Sequence, residues 1–330
     1  MTDDQNGFGV PGPDDRAPRS LPEFPMAGPP PPVGTPPPGT LKKPGAENWP
    51  WWYALVAFVG GFIASQMGVL VIGAIWIAAS GSKFDALQDD ATFVVVASGV
   101  SELLFVLAAV YVARMSGGVS FVDFGFVRAP FLRTVVRVLA VLVGYFVLLA
   151  VYNELVHLTP DNAPEKLGAT TGTMGMLLFA VLVAICAPIA EEVFFRGMIY
   201  RALKNGIGMW GAAIISGLLF GSLHIDSTST ERLLQVVPLV VLGIAFALLY
   251  TWTGTLYSTI ALHATNNAIA VLAFAVKHDS DFGIVLAPVI WAGMMVFCAV
   301  GHKLTDPDRK QPPPEFPGGT DAVLGYPHSR

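Results

Sequence analysis

Apolar runs of about twenty residues recur from Trp51 to Val300, and each is long enough to cross a hydrocarbon layer of about 30 Å as a helix. Inside lipid no water satisfies backbone N–H and C=O groups, so such segments fold as helices or as closed barrels, and runs of this length select helices. Composition agrees, with 53% hydrophobic and 13% charged residues against about 25% charged in ordinary soluble domains. The chain therefore reads as all-α, a polytopic membrane helical bundle. About eight transmembrane helices are expected, near residues 51–79, 91–113, 134–156, 173–199, 208–224, 233–251, 256–275 and 282–300.

Three regions follow from this pattern. Residues 1–48 hold the proline runs Pro29–Pro32 and Pro36–Pro38 among Gly and Asp, a composition too poor in apolar surface to offset chain entropy. They read as a disordered tail, residues 49–300 as the bundle, and residues 301–330 as a second disordered tail. The opening Met1, Thr2, Asp3, Asp4 lacks the basic start of a cleavable leader, so the first span is expected to serve as its own membrane signal. An even number of spans puts both tails on one side. That side carries Lys42, Lys43, Arg114, Arg128, Arg133, Arg137, Arg201, Lys204, Lys303, Arg309 and Lys310, against Lys83, Lys166, Arg232 and Lys277 on the other. The positive-inside rule then predicts both termini in the cytoplasm and a multi-pass protein of the cell membrane. Trp49, Trp51, Trp52 and Tyr53 suit an interfacial aromatic anchor. No basic stripe suggests nucleic acid as a partner. Cys186 and Cys298 both fall in apolar runs, where a thiol behaves as a small hydrophobe, so neither a disulfide framework nor a thiolate metal site is expected.

Polar residues inside the spans carry the functional reading. The fourth run ends LLFAVLVAICAPIA-EEVFFRG, placing Glu191, Glu192 and Arg196 among apolar neighbours. Charges in lipid cost several kcal/mol unless paired or watered, so they are functional hypotheses by default. Glu192 and Arg196 stand four apart, in the order favoured for an ion pair; mutual neutralisation alone would explain them. Glu191 points about 100° away, without that partner, and is the better chemical candidate. The fifth run ends FGSLH, with Phe220 and His224 four apart, and its Gly217 and Gly221 allow close helix approach. The seventh contains LHATNNA, which stacks His263 and Asn267 on one face. Singly, a histidine near a helix end is an interfacial residue, and polar groups in mid-span are interhelical glue. Together, two carboxylates, an arginine, two histidines and an amide are the parts needed to activate water and stabilise an oxyanion.

The segments EEVFFRG, FGSLH and HATNN resemble the three motifs, E-E-x-x-x-R, F-x-x-x-H and H-x-x-x-N, of the CAAX protease and bacteriocin-processing (Abi) family of intramembrane endopeptidases, the type II CAAX prenyl endopeptidase-like proteins. The resemblance covers roughly residues 173–275. It implies that Glu191 is the catalytic base, that His224 works with it on the attacking water, that His263 and Asn267 steady the oxyanion, and that Glu192 and Arg196 shape the site. The implied activity is hydrolysis of a peptide bond in a membrane-associated peptide or protein that reaches the site from the lipid bilayer. No cofactor is certain. A divalent metal such as zinc would be held by Glu191, His224 and His263, but the H-E-x-x-H signature is absent, which favours a metal-free mechanism.

Two other functions fit the same residues: a non-catalytic immunity or scaffold protein, and a proton-coupled transporter relaying through Glu102, Glu191 and His263. Carriers often show internal repeats, and none is evident. Glu102, midway through the second span, reads as a helix-contact residue with cavity lining as the alternative. Gln66 and Asn153 also read as helix contacts, Glu154 and His157 as interfacial. The expected span ends leave one mismatch. Glu191 and His263 fall about 10–13 Å from the ends of their spans and His224 about 20 Å from the start of its own, so tilt or a displaced boundary is required for the motifs to meet.

Overall fold

The computed structural model describes residues 49–157, 163–225 and 229–305. Among them all regular structure is helical, and seven helices are long and apolar enough to cross a membrane. These are α1 (Trp52–Ser80), α2 (Ala91–Arg114), α3 (Phe131–Val156), α4 (Thr173–Ser222), α5 (Thr230–Thr253), α6 (Leu256–Lys277) and α7 (Asp281–Leu304). The two tails lie outside the described residues, except that α7 carries the last helix to Leu304, a turn beyond the expected end of the bundle.

The expected fourth and fifth spans are the two arms of α4. At 50 residues a straight helix would reach about 75 Å, far more than a bilayer. Gly208 breaks it with φ 73 and ψ 177, a conformation open almost only to glycine. The chain doubles back there, and Phe195 on the first arm meets Phe220 on the second, ring centroids 5.3 Å apart. The first arm extends past residue 199, its expected end, and carries Arg201 and Lys204 within the helix. Asn205 donates its amide to the Trp49 carbonyl, 2.8 Å. Counted from Gly208, Glu191 is 17 residues back and His224 16 residues forward, about 25 Å each at 1.5 Å per residue. The depth mismatch came from ending the fourth span too early.

α1 pairs with α2, the second arm of α4 with α5, and α6 with α7, while α3 packs on α5 and α6. Gly217 lets the second arm press on α5, since a Cβ there would sit 2.5 Å from Ile244 Cγ1 and 2.9 Å from its backbone nitrogen. The first arm of α4 runs through the middle, with Phe194, Phe195, Met198, Ile199 and Tyr200 all fully enclosed. α1 and α3 turn residues such as Leu55, Ile63, Leu132 and Val143 outward, the expected lipid-facing pattern. Trp51 and Trp52 are exposed as an interfacial anchor requires, whereas Trp49 is only 2% exposed and packs edge-on to Phe124 at 5.8 Å. The loop before α3 folds back over that end of the bundle and encloses it.

Candidate active site

The site is built on irregular turns of α4. Its first arm contains two π-helical stretches, Leu182–Cys186 and Val193–Tyr200, flanking Glu191 and Glu192. Pro188 accounts for the first, because a proline inside a helix has no N–H and its ring crowds the carbonyl four residues back. Widening the turn shifts Ala187 N–H onto the Leu182 carbonyl, five residues back. The next donor in that register would be Pro188, so the Val183 carbonyl lacks a helical partner. Asn267 fills the gap, its Nδ2 donating to Val183 O at 2.8 Å. Asn267 Oδ1 in turn accepts from Asn266 Nδ2 at 3.0 Å. This joint fixes the height of α6 against α4.

One helical turn away, His263 is held by the carboxylate pair. Its Nδ1–H donates to Glu192 Oε1, 2.9 Å, which leaves Nε2 as the bare nitrogen of the neutral ring. That Nε2 lies 3.7 Å from Glu191 Oε2. The ring stacks on Phe246, centroids 4.8 Å apart and planes 27° apart. Glu192 Oε1 also accepts from Arg196 Nη1 at 2.9 Å, with both side chains completely enclosed. Arg196 Nη2 donates to Gly243 O at 3.2 Å, and its guanidinium sits 4.6 Å from the Phe246 ring centre and 4.8 Å from that of Phe220. Glu192, Arg196 and His263 therefore form a closed, ion-paired cluster, within which Glu192 Oε2 and Arg196 Nε are buried without a hydrogen-bond partner.

Glu191 diverges from its neighbour, as the 100° offset between successive helical residues demands. It opens into a cavity of about 250 Å³ lined by Glu191, Phe194 and Phe195 from the first arm, Leu223 and His224 from the end of the second, Phe62, Ser65 and Gln66 from α1, and Ser98, Ser101, Glu102 and Phe105 from α2. His224 Nδ1–H donates to the carbonyl of Phe220, 3.0 Å, so Nε2 of the neutral ring carries the lone pair. Glu191 Oε2 is buried with no hydrogen-bond partner in the protein. The cavity thus offers an unengaged carboxyl and a half-buried histidine on one wall.

All six residues singled out in the sequence fall in this region, in three groups: Glu192, Arg196 and His263 in the closed cluster, Glu191 and His224 at the cavity, and Asn267 in the α4–α6 joint. The three ligands expected of a metal site do not fit one. Among the described residues no group of three His, Cys, Asp or Glu side chains is placed to hold an ion. The α1–α2 wall was missed as a unit. Its signal was present in Ser98, Ser101 and Glu102, spaced i, i+3, i+4 on one face of α2, and Ser65 Oγ donates to Ser101 Oγ at 2.9 Å to pin that face.

Comparison with known proteins points the same way. Over 95 residues the chain is 30% identical to the Bacillus subtilis protein named "Putative membrane peptidase YdiL", covering 29% of this chain and 36% of that one. It is 26% identical over 122 residues to the uncharacterized protein YpbD of the same organism, 37% of this chain and 58% of the relative. It is 30% identical over 125 residues to the UPF0177 protein YaiH of Lactococcus lactis, 38% and 49%. The chain thus spans about a third to somewhat over half the length of these relatives. No solved structure matches. Residues 173–269, the stretch that supplies Glu191, Glu192, Arg196, His224, His263 and Asn267, match the family of type II CAAX prenyl endopeptidase Rce1-like proteins.

Proposed function

We propose that this protein is an intramembrane endopeptidase that hydrolyses a peptide bond in a membrane-associated peptide or protein by glutamate-activated water. The observation that carries the reading is the division of labour between adjacent carboxylates: Glu192 is consumed by Arg196 and His263, while Glu191 faces a polar cavity together with His224. A carboxylate in a site with little water is a competent base, and a histidine with a bare nitrogen orients the water it deprotonates. Glu191 takes a proton from that water as the oxygen attacks the carbonyl carbon. The negative charge then moves to the carbonyl oxygen. Collapse breaks the C–N bond, and Glu191 returns the proton to the leaving amine. His263 is held by Glu192 much as a carboxylate orients a catalytic imidazole, and in its imidazolium form, protonated from solvent before the attack and keeping that proton throughout, its Nε2–H donates to the developing oxyanion. Asn267 supports it with the amide N–H not spent on Val183.

Both termini are placed in the cytoplasm in this reading, on the positive-inside distribution of Lys and Arg. The test is to incubate proteoliposomes of the purified protein with membranes from a strain lacking it, and to count new peptide N termini by mass spectrometry. Wild-type protein is expected to generate them and Glu191→Gln protein none. Equal products from both would overturn the assignment, and flux across the vesicles lost in the same variant would favour a carrier.

A further inference from the structure

We infer that Glu102 is a positioning residue of the site, a second carboxyl that holds Glu191 across the cavity through one shared proton. This rests on the reading of Glu191 as the base and extends the site beyond residues 173–269 to α2. Glu102 and Glu191 line the same cavity from different helices. Glu102 Oε2 and Glu191 Oε2 are both buried with no hydrogen-bond partner in the protein. The Ser65–Ser101 bond fixes the α2 face that presents Glu102.

The other groups around Glu102 offer it no cation. α1 contributes Ser65 and Gln66, the first arm of α4 contributes Cys186 and Glu191, and the second arm ends in His224, whose Nδ1–H is spent on Phe220 O. Arg196 is paired with Glu192 and donates to Gly243 O. Two facing carboxylates repel, and a single proton between them turns that repulsion into a hydrogen bond. The proton count then closes around the reaction. The pair starts with one proton and one negative charge, becomes neutral when Glu191 takes the proton of water, and regains its charge when Glu191 protonates the leaving amine. Glu102 keeps the shared proton throughout and fixes which Glu191 oxygen faces the water.

The test uses the full chain in lipid nanodiscs. Difference infrared spectra in the carboxyl C=O region are recorded for wild type, Glu102→Gln and Glu191→Gln, alongside the pH profile of cleavage of membranes from the deletion strain. The protonated-carboxyl band present in wild type at neutral pH is expected to be lost in either single variant, because the remaining carboxyl ionises alone. Glu102→Gln is expected to slow cleavage about 100-fold, the lower end of what one positioned proton-transfer group contributes, and to remove one limb of the pH profile. Glu102→Asp should regain the band and part of the rate, which restored packing alone would not give. An unchanged band and pH profile in Glu102→Gln, with Glu191→Gln inactive, overturns the pair and leaves the base assignment standing. Loss of the band in both variants with full cleavage by Glu191→Gln upholds the pair and overturns the base.

Discussion

His263 Nδ1 and Glu192 Oε1 lie 2.9 Å apart, and the same oxygen accepts from Arg196 at 2.9 Å, so one carboxylate joins α6 to α4 and neutralises a guanidinium sealed among Phe195, Phe220 and Phe246. Removing it leaves a buried cation without its counter-charge. Glu192→Gln is therefore expected to destabilise the fold by about 3–5 kcal/mol, read as the unfolding midpoint in mild detergent. Combining Glu192→Gln with Arg196→Met should cost less than the sum of the single changes. Strict additivity would mean that the two charges do not depend on each other.

The Asn267–Val183 bond makes a prediction that depends on Pro188. Asn267→Ala leaves a partly buried carbonyl without a donor and should cost about 1 kcal/mol. Pro188→Ala supplies an N–H in the register that Val183 O lacks. In that background Asn267→Ala should cost less, and an undiminished cost would show that the proline is not what frees the carbonyl.

Gly208 is the bend that brings Glu191 and His224 to one height. Its Cβ position meets no atom within 4 Å, so any penalty on substitution is conformational. Gly208→Ala should destabilise by about 1–3 kcal/mol. Gly99 and Gly144 also have open Cβ space but lie at ordinary helical φ within α2 and α3, and alanine there should stabilise by about 0.5–1 kcal/mol. A neutral Gly208→Ala would contradict the bend as described.

The helices were legible because lipid imposes length and apolarity on each crossing, and the observed ends fall within about a turn of the expected ones for α1, α2, α3, α5, α6 and α7. The first arm of α4 was misread because Arg201 and Lys204 look like an exit, while the tertiary bond from Asn205 to Trp49, which holds the continuing helix, is not visible in the sequence. The Glu192–Arg196 pair could be read from spacing of four along one helix. The Asn267 joint could not, since it depends on a π register that Pro188 imposes on another helix. The cavity wall of α2 was visible only as a polar face, because which helix it confronts is set by packing between distant segments.

The account turns on Glu191 rather than Glu192 being the base, and the most direct measurement is the cleavage rate of Glu191→Gln protein whose unfolding midpoint matches wild type. A single positioned base typically contributes about 100-fold to 10,000-fold. The account predicts a loss of that size in Glu191→Gln with the fold intact, and a wild-type rate in that folded protein would contradict it.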